Sequence, residues 1–478
     1  MYLKDIIGFG ESKTEIKSLT IDSRKAEKGS LYFAISGTQV DGHKFVADAY
    51  KNGAAAAVVE RKVDCPIEQI QVENTRIAMA HMAANFYNNP AKQLTMIGVT
   101  GTNGKTSISY MVQKIAKRCG IPCGVIGTSG IVANDEKLDI HILTSTTPDP
   151  IELQYALSEM VKRNIKWVVM EVTAHALDLH KTDGITFASA GFTNLTQDHL
   201  DYFITMENYA AAKAKLFKTA KKGVVNIDDD FGRKLYENAE IPMLSYSIKQ
   251  KADIWAKDIE TEHNKTTFTL VYGEKEFKVT THTVGLFNIS NILCAVGCAV
   301  EAGADIGECI KGIESFVSVP GRFETVDTKH RGYTVVVDYA HTPDGLENIL
   351  SSINTFKKGK LICVFGCGGN RDAAKRPIMG RLAGQLSDYC VLTSDNPRFE
   401  EPESIIDSIE EGIKETSCPY IRNADRKEAI KIALEYAKKG DVIAICGKGD
   451  EDYQEIKGVK HHFSDREAVE EIIEGGNL

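Results

Sequence analysis

The chain of 478 residues has a net charge of −9, from 57 basic and 66 acidic side chains, and is 43% hydrophobic and 26% charged. This length predicts about three domains of ~150 residues each, and the composition is that of a globular protein, which excludes intrinsic disorder. The acidic balance excludes a broad electrostatic footprint for nucleic acid.

The sequence lacks the features of exported and membrane proteins. Its start, MYLKDIIGFGESK, does not have the pattern of a signal peptide, and no run of 18 apolar residues occurs. Eleven cysteines are scattered without metal-binding spacing, which indicates reduced and mostly buried thiols. We therefore expect a cytoplasmic protein without membrane insertion.

The first ninety residues predict a small α/β domain over 1–90. Short apolar runs at 31–35 and 54–59 alternate with turn signals such as Gly37 and Gly42. Pro90 drives the residue before it out of helical geometry, which marks the end of this segment.

A glycine-rich loop, GTNGKT at 101–106, lies between an apolar run at 95–100 and an amphipathic run at 107–118. Strand, loop and helix in this order predict a phosphate-binding loop, because backbone N–H groups and the helix N-terminus converge on phosphate oxygens. Lys105 can reach the β- and γ-phosphates of ATP, and the Thr106 hydroxyl can bind Mg²⁺. Val99 stands where the strict pattern has glycine, so the loop is a variant. The alternative is a turn with a solvated lysine.

The segment 91–319 predicts a central, mostly parallel sheet. Apolar strand candidates at 123–127, 167–172 and 224–227 alternate with helical patterns such as 208–217. Glu171 ends one of these strands, where its carboxylate can share Mg²⁺ with Thr106; the alternative is a surface carboxylate. His199 lies in the polar segment FTNLTQDHLDYF, and taken alone it is more often structural than a ligand.

The segment 320–478 predicts a second doubly wound, Rossmann-like sheet. Strand candidates at 334–337, 360–365, 389–392 and 441–446 are separated by helices. Three of them are followed by the polar loops GCGGNRD, SDNPR and GKGDE. Ligands of open α/β sheets bind beyond the carboxyl ends of the strands, so we expect these loops to converge on one ligand.

Nine motifs in order give the chain a resemblance to a known family. GTNGKT, MEVTAHAL, FTNLTQDHLDYF, GLFNISN, GRFE, VDYAHTPD, FGCGGNRD, TSDNPR and GKGDEDYQ resemble the Mur ligases of peptidoglycan synthesis over nearly the whole chain. The resemblance implies a monomeric, ATP-dependent amide-forming ligase with UDP-sugar, ATP and amino-acid domains. It implies addition of meso-2,6-diaminopimelate to UDP-N-acetylmuramoyl-L-alanyl-D-glutamate through an acyl phosphate.

The resemblance also implies roles for residues at the ATP site. Catalysis is expected of Lys105, Glu171, His199 and Lys213, and Mg²⁺ binding of Thr106, Glu171, His199 and Lys213. Lys213 matches a family lysine that CO₂ converts to a carbamate, although from the sequence alone it is a solvated helix lysine. The expected ATP-binding residues are Gly101, Thr102, Asn103, Gly104, Lys105, Thr106, Ser107, Asn288, Asn291, Asp338 and His341.

Two further groups of residues match substrate positions of the family. The expected contacts to the UDP-sugar dipeptide are Ser23, His43, Thr146, Thr147, Thr173 and Lys181, and those to the amino acid are Arg371, Asp395, Asn396, Pro397, Arg398, Gly447 and Glu451. An arginine can clamp the extra carboxylate that diaminopimelate has and lysine lacks. The chain departs from the family pattern at Thr173, Ala174, Lys181 and Asp450, where serine, serine, arginine and histidine are common.

Three alternatives remain open from the sequence. An L-lysine ligase would differ chiefly at Arg398. A folylpolyglutamate-type ligase shares the ATP domain but should lack the N-terminal segment and the DNPR string. A non-catalytic nucleotide-binding homologue should have degraded metal residues, whereas Thr106, Glu171, His199 and Lys213 are all present.

Overall fold

The structure is a computed structural model, and it describes residues 1–37, 40–140, 142, 144, 146–261 and 265–475. In this described part, the strands form sheets of four, eleven, six and two strands. The α/β class and the three-domain architecture are confirmed. The boundaries at 90/91 and 319/320 stay predictions, and none of the sheets crosses them.

The N-terminal segment builds a parallel sheet in the order β1-β2-β3-β4. Its helices and strands are α1 (Leu3–Ile7), β1 (Ser18–Thr20), β2 (Ser30–Phe33), α2 (Val46–Lys51), β3 (Ala56–Val59), β4 (Glu68–Gln71) and α3 (Thr75–Phe86), with 3-10 turns at Ser23–Lys25, Gly42–Phe45 and Pro90–Gln93. The two apolar runs predicted as strands correspond to β2 and β3, which are buried throughout.

The central segment contains the largest sheet, of order β15-β14-β13-β12-β11-β10-β5-β9-β6-β7-β8. Its elements are β5 (Thr95–Thr100), α4 (Lys105–Arg118), β6 (Cys123–Gly127), β7 (Gly130–Ala133), β8 (Glu136–Lys137), α5 (Pro150–Lys162), β9 (Trp167–Glu171), α6 (Ala174–Asp178), β10 (Ser189–Phe192), α7 (Leu200–Phe203), α8 (Met206–Lys218), β11 (Gly223–Asn226), α9 (Asp230–Glu237), β12 (Met243–Ser247), β13 (Ile254–Thr261), β14 (Thr266–Tyr272), β15 (Lys275–Thr281), α10 (Leu286–Glu301) and α11 (Ile306–Glu314).

The middle of this sheet is parallel and its two edges are antiparallel. Strands from β13 to β6 pair in parallel, while β13-β14-β15 and β6-β7-β8 are hairpin-type extensions. Helices cover both faces of β5: Ile97 and Val99 pack with α4 and α10, and Met96 lies in the cluster of the opposite face. Strands buried on both faces read as continuous apolar runs, which is why the sequence reveals them.

The C-terminal segment contains a six-stranded sheet of order β16-β17-β21-β18-β19-β20, in which only β16 is antiparallel. Its elements are β16 (Glu324–Val326), β17 (Thr334–Asp338), α12 (Pro343–Phe356), β18 (Leu361–Phe365), α13 (Lys375–Leu386), β19 (Tyr389–Leu392), α14 (Pro402–Ile413), β20 (Tyr420–Arg422), α15 (Arg426–Tyr436), β21 (Val442–Cys446), β22 (Tyr453–Ile456), β23 (Val459–His462) and α16 (Asp465–Glu474). Among the described helices, none combines the length and apolarity of a membrane span.

Candidate active site

Neighbouring parallel strands bring four loops to one edge of the central sheet. Strand β5 lies between β10 and β9, and β6 lies beyond β9. The loops after these strands contain the phosphate-loop residues 101–104, Thr128, residues 172–173 and residues 193–199. Because parallel strands end at the same edge, these loops meet although they are far apart in the sequence.

Glycines of the phosphate loop lie where a side chain would not fit. Gly101 has φ +145 and Gly104 has φ +88, which L side chains rarely adopt. A Cβ at Gly104 would overlap the Oδ1 atom of Asn291 on α10. Lys105 Nζ donates to the carbonyl oxygens of Gly101 and Thr102, at 2.9 and 2.8 Å, and burial lowers the pKa of Lys105.

A hydroxyl and a carboxylate meet at the start of α4. Thr106 Oγ1 donates to Glu171 Oε2 at 3.1 Å, and Glu171 Oε1 accepts from the Thr128 backbone N–H at 2.9 Å. In the described chain, no three His, Cys, Asp or Glu side chains cluster as metal ligands. One carboxylate and one hydroxyl fit Mg²⁺ in a nucleotide site, because this ion takes its remaining ligands from phosphates and water.

His199 lies in an aromatic environment beside an acid. Its backbone has φ +55, and its ring packs edge-on against His175, with centroids 4.8 Å apart. Nε2 lies 3.4 Å from Asp198 Oδ2. Burial lowers the pKa of His199 to about 3, which keeps the imidazole neutral and able to act as a ligand.

Lys213 is buried, and the interpretation of it as a solvated helix lysine is wrong. Its side chain points to the packed face of α8, the residue is 1% exposed, and Nζ lies 4.2 Å from the centroid of the Tyr209 ring. Burial, and then the positive charge of Lys105, lower the pKa of Lys213 well below its usual value. The helix spacing carries a signal for this, because Tyr209, Leu216 and Phe217 lie three or four residues from Lys213 and are buried on the same face.

The four residues expected near the nucleotide divide into two pairs. Asn288 lines a small cavity of about 30 Å³ with Ser107, and Asn291 packs against the phosphate loop. Asp338 accepts from the backbone N–H groups of Phe323 and Ala340, both at 2.7 Å. His341 Nδ1 lies 2.9 Å from the Tyr339 carbonyl oxygen, and burial lowers the pKa of His341 to about 4.

A cavity of about 1180 Å³ lies between the N-terminal and central segments. Ser23, Arg24, Arg76, Asp149 and Lys181 are among its lining residues. Lys181 Nζ lies 3.0 Å from Asp149 Oδ1 and donates to the Thr147 carbonyl oxygen at 3.4 Å.

Four threonines near this cavity form a chain of hydrogen bonds that passes through Glu171. Thr147 Oγ1 lies 3.3 Å from Thr173 Oγ1 and donates to the Glu171 carbonyl oxygen at 2.9 Å. Thr146 Oγ1 lies 3.2 Å from Thr128 Oγ1, which in turn donates to Glu171. The chain therefore connects the cavity with the phosphate site.

His43 departs from its expected role as a substrate contact. The residue is 3% exposed, its Nε2 accepts the Glu60 backbone N–H at 2.9 Å, and its Nδ1 lies 2.7 Å from Asp41 Oδ1. Both ring nitrogens are thus engaged within the N-terminal segment. The geometry gives His43 the role of a buried brace behind the cavity loop, which corrects the expectation of a direct contact.

The three polar loops of the C-terminal sheet converge as expected, because β21, β18 and β19 are neighbours. Asn396 lies at the centre of the pocket they form: its Nδ2 donates to Glu451 Oε2 at 2.8 Å, and its Oδ1 accepts from Lys448 Nζ at 3.3 Å. Asp395 Oδ2 is buried without a hydrogen-bond partner in the described chain. A Cβ at Gly447 would lie 2.6 Å from this oxygen, so the glycine keeps access to it.

The remaining residues expected to contact the amino acid differ in burial, and Pro397 is buried. Arg371 is exposed, and Pro397 opens a turn in which its carbonyl oxygen accepts from the Glu400 N–H at 3.0 Å. Arg398 has φ +52, and its Nη1 donates to the Gly369 carbonyl oxygen at 2.9 Å. Burial raises the pKa of Glu451.

Two basic residues of the site were not singled out from the sequence. Arg322 Nη2 donates to Thr106 Oγ1 at 3.3 Å, and its guanidinium lies 4.0 Å from the centroid of the Tyr339 ring. Lys375, which is 5% exposed, lies 3.8 Å from Asp198 Oδ1. Arg322 lies within the GRFE motif, and Lys375 follows the GCGGNRD motif by three residues. These positions are the sequence signal that could have identified them.

Contacts join the central and C-terminal segments around the phosphate loop. Asn103 Nδ2 donates to Asp344 Oδ2 at 2.6 Å, and Ser129 Oγ donates to Asp450 Oδ2 at 2.9 Å. With Arg322 and Lys375, these contacts bring the polar loops of the C-terminal sheet and the phosphate loop together on one shared cleft.

Comparisons with known proteins agree with this arrangement. Family models match the Mur ligase family catalytic domain at residues 15–87, the Mur ligase middle domain at 99–299 and the Mur ligase glutamate ligase domain at 321–449. The first match covers the N-terminal segment that a folylpolyglutamate-type ligase was expected to lack.

Similar full-length proteins share one name, UDP-N-acetylmuramoyl-L-alanyl-D-glutamate–2,6-diaminopimelate ligase. The protein of Caldanaerobacter subterraneus is 44% identical over 97% of this chain and 96% of its own, and that of Aquifex aeolicus is 44% identical over 96% and 94%. A solved structure of a ligase of this name is 31% identical, covers 100% of this chain and 99% of its own, and has a TM-score of 0.69. The chain therefore belongs to the Mur ligase family of ATP-dependent amide-forming ligases.

Proposed function

We propose that the protein joins meso-2,6-diaminopimelate to the D-glutamate γ-carboxylate of UDP-N-acetylmuramoyl-L-alanyl-D-glutamate, with conversion of ATP to ADP and phosphate. The observation that carries the proposal is the shared cleft, in which the segment that contains Arg398 and Glu451 contacts the phosphate site through Arg322–Thr106 and Ser129–Asp450. The relatives that have this name are 44% identical over nearly the full chain, which supports the same substrates.

The reaction needs two steps because a carboxylate is a poor acyl acceptor. The γ-carboxylate oxygen attacks the γ-phosphorus of ATP, ADP leaves, and an acyl phosphate forms. The amine of diaminopimelate then attacks the acyl carbon, phosphate leaves, and the amine loses a proton. Lys105 and Arg322 would stabilise charge on the transferred phosphoryl group, and the loop would hold the reactants in line.

Thr106 and Glu171 are the residues that would hold a Mg²⁺ ion, with His199 near a second one. The ion supplies charge neutralisation at the phosphates when it is bound. A carbamate on Lys213 would supply an oxygen ligand that an ammonium cannot. A buried amine with a lowered pKa supports this modification, because only the neutral amine attacks CO₂.

Binding of the distal end of the amino acid is assigned to Arg398 and Glu451, and selection of diaminopimelate over L-lysine to Arg398. Glu451 would bind the distal ammonium, which both amino acids have. Arg398 Nη2 makes no hydrogen bond within the described residues, so this end of the guanidinium is available for the carboxylate that only diaminopimelate has. L-Lysine would leave this cation opposite its own ammonium, which favours diaminopimelate over the lysine alternative.

The cavity of about 1180 Å³ is assigned to the UDP-sugar dipeptide. Ser23, Thr146, Thr147 and Thr173 supply hydroxyl groups, and Lys181 supplies a positive charge at the end nearest the phosphate site. We further propose that the enzyme acts as a monomer in the cytoplasm, where ATP is available. A non-catalytic homologue is disfavoured because the Thr106–Glu171 pair is intact.

The proposal is tested by the release of ADP and phosphate with a panel of amino acids. Release should require both the UDP-sugar dipeptide and meso-diaminopimelate, and it should cease when Mg²⁺ is removed by a chelator and return when Mg²⁺ is added. Turnover with L-lysine at equal or better efficiency would contradict the assignment of the amino acid.

A further inference from the structure

We propose that Glu455 is a positioning residue that orients the Arg398 guanidinium for the distal carboxylate of the amino-acid substrate, and thereby sets the preference for diaminopimelate. The inference rests on the proposed function of the pocket. Glu455 belongs to β22, the first strand of the hairpin that follows the GKGDE loop, and it lies outside every position assigned above.

The carboxylate of Glu455 lies at one end of the Arg398 side chain. Arg398 Nε is 3.2 Å from Glu455 Oε2, while Nη1 donates to the Gly369 carbonyl oxygen at 2.9 Å. A guanidinium is planar and rigid, so the ion pair at Nε and the hydrogen bond at Nη1 together orient Nη2 as well. These two contacts therefore leave Nη2 as the free end and determine where it points.

The backbone holds this pair together in a way that an ordinary surface ion pair lacks. Arg398 N–H donates to the Glu455 carbonyl oxygen at 3.0 Å, and Lys457 N–H donates to the Arg398 carbonyl oxygen at 2.6 Å. The Glu455 N–H donates in turn to Asn396 Oδ1 at 2.9 Å. Residue 455 is thus tied to both Asn396 and Arg398 of the DNPR string.

This arrangement has a consequence for binding. The side chains of Arg398 and Glu455 are only 20% and 24% exposed. Without the Glu455 carboxylate, the long arginine side chain would regain rotamers that turn Nη2 away from the pocket. The substrate would then have to order the guanidinium, which weakens binding of diaminopimelate but not of an amino acid without the distal carboxylate.

The test compares Glu455→Ala and Glu455→Gln with the unsubstituted enzyme in the ADP-release assay. For Glu455→Ala we expect the KM for meso-diaminopimelate to rise about tenfold with kcat changed less than about twofold, as for loss of orientation in a charge-assisted bond. The KM for ATP should stay unchanged, and the efficiency with L-lysine should not fall. Glu455→Gln keeps an acceptor oxygen at the same reach and should restore the KM to within about threefold of the original.

Glu401→Ala is the matched control. Glu401 is an acid with a 75% exposed side chain, and its Oε1 lies 4.0 Å from Nζ of Lys457, which follows β22 in the same hairpin as Glu455. It should change none of these constants. The role of Glu455 would be overturned, and the proposed function left standing, by an unchanged KM for diaminopimelate in Glu455→Ala. An equal rise in the KM for ATP that Glu455→Gln does not reverse would have the same meaning. An unsubstituted enzyme that does not turn over with meso-diaminopimelate would overturn the proposed function, and the role of Glu455 with it.

Discussion

Single residues of this site owe their chemistry to burial. Lys213 illustrates this, because its sequence neighbours suggest a solvated cation and its position against Tyr209 makes it a buried amine. A neutral amine can attack CO₂, whereas an ammonium cannot. The environment of Lys213, and not its residue type, thus makes it suitable for a carbamate that orients Mg²⁺.

We expect Lys213→Ala to lower kcat by about 100-fold or more, since it removes the lysine whose proposed carbamate would position the metal. A short carboxylate such as acetate or formate, added at high concentration, should restore part of the activity by occupying the space of the lost carbamate. Lys218→Ala, at the exposed C-terminal end of α8, is the control and should leave kcat unchanged. No rescue of Lys213→Ala, together with no trapping of labelled CO₂ on the unsubstituted enzyme, would contradict the carbamate.

The burial of each strand determines whether the sequence alone predicts it. Strands β5, β9, β18 and β21 are buried on both faces, so each reads as a continuous apolar run and was recognised. The strands β13–β15 at one edge alternate buried residues with half-buried or exposed ones, so they contain no continuous apolar run. Their position at the edge depends on pairing that one sequence does not show. Ile204, with φ +68, likewise adopts a backbone that its β-branched side chain does not predict.

The candidate site shows the same division. Lys105, Thr106 and Glu171 were predictable because each follows a recognisable strand or loop signal. The contacts of His43 and Arg322 are not predictable in this way. His43 accepts a hydrogen bond from the Glu60 backbone N–H, and Arg322 contacts Thr106 of another domain; both contacts depend on the tertiary fold.

The packing of the phosphate loop on α10 gives a test at the level of elements. Gly104→Ala should weaken ATP binding by about tenfold or more and destabilise the protein by about 1–3 kcal/mol, because the new methyl group overlaps Asn291 at a positive φ. Gly120→Ala is a matched control, since Gly120 has φ +69 with no atom within 4 Å of the added carbon. Similar losses of ATP affinity in both variants would show that backbone strain, and not the contact with Asn291, is responsible.

At the scale of the whole molecule, the cleft exists only because the central and C-terminal domains meet. The contacts Asn103–Asp344, Ser129–Asp450 and Arg322–Thr106 surround the phosphate loop. Asp450 is also a departure from the family pattern, which has histidine there. In this chain its carboxylate takes up a contact with the central domain.

We expect Asp450→Ala to lower kcat/KM for all three substrates about fivefold, because loss of one charge-assisted hydrogen bond of about 1 kcal/mol favours an open arrangement. With ATP present, small-angle X-ray scattering should give Asp450→Ala a larger radius of gyration than the unsubstituted enzyme. Asp452→Ala, an exposed acid on the same loop, should change neither quantity. Unaltered kinetics and scattering in Asp450→Ala would exclude a role for this contact in closure.

The central claim is the formation of an amide bond between the dipeptide and diaminopimelate. The most direct measurement is mass spectrometry of the nucleotide product after incubation with the UDP-sugar dipeptide, ATP, Mg²⁺ and an equimolar mixture of meso-diaminopimelate and L-lysine. We predict a single product with the mass of the diaminopimelate adduct. A lysine adduct as the main product, or ATP hydrolysis without any adduct, would contradict the account.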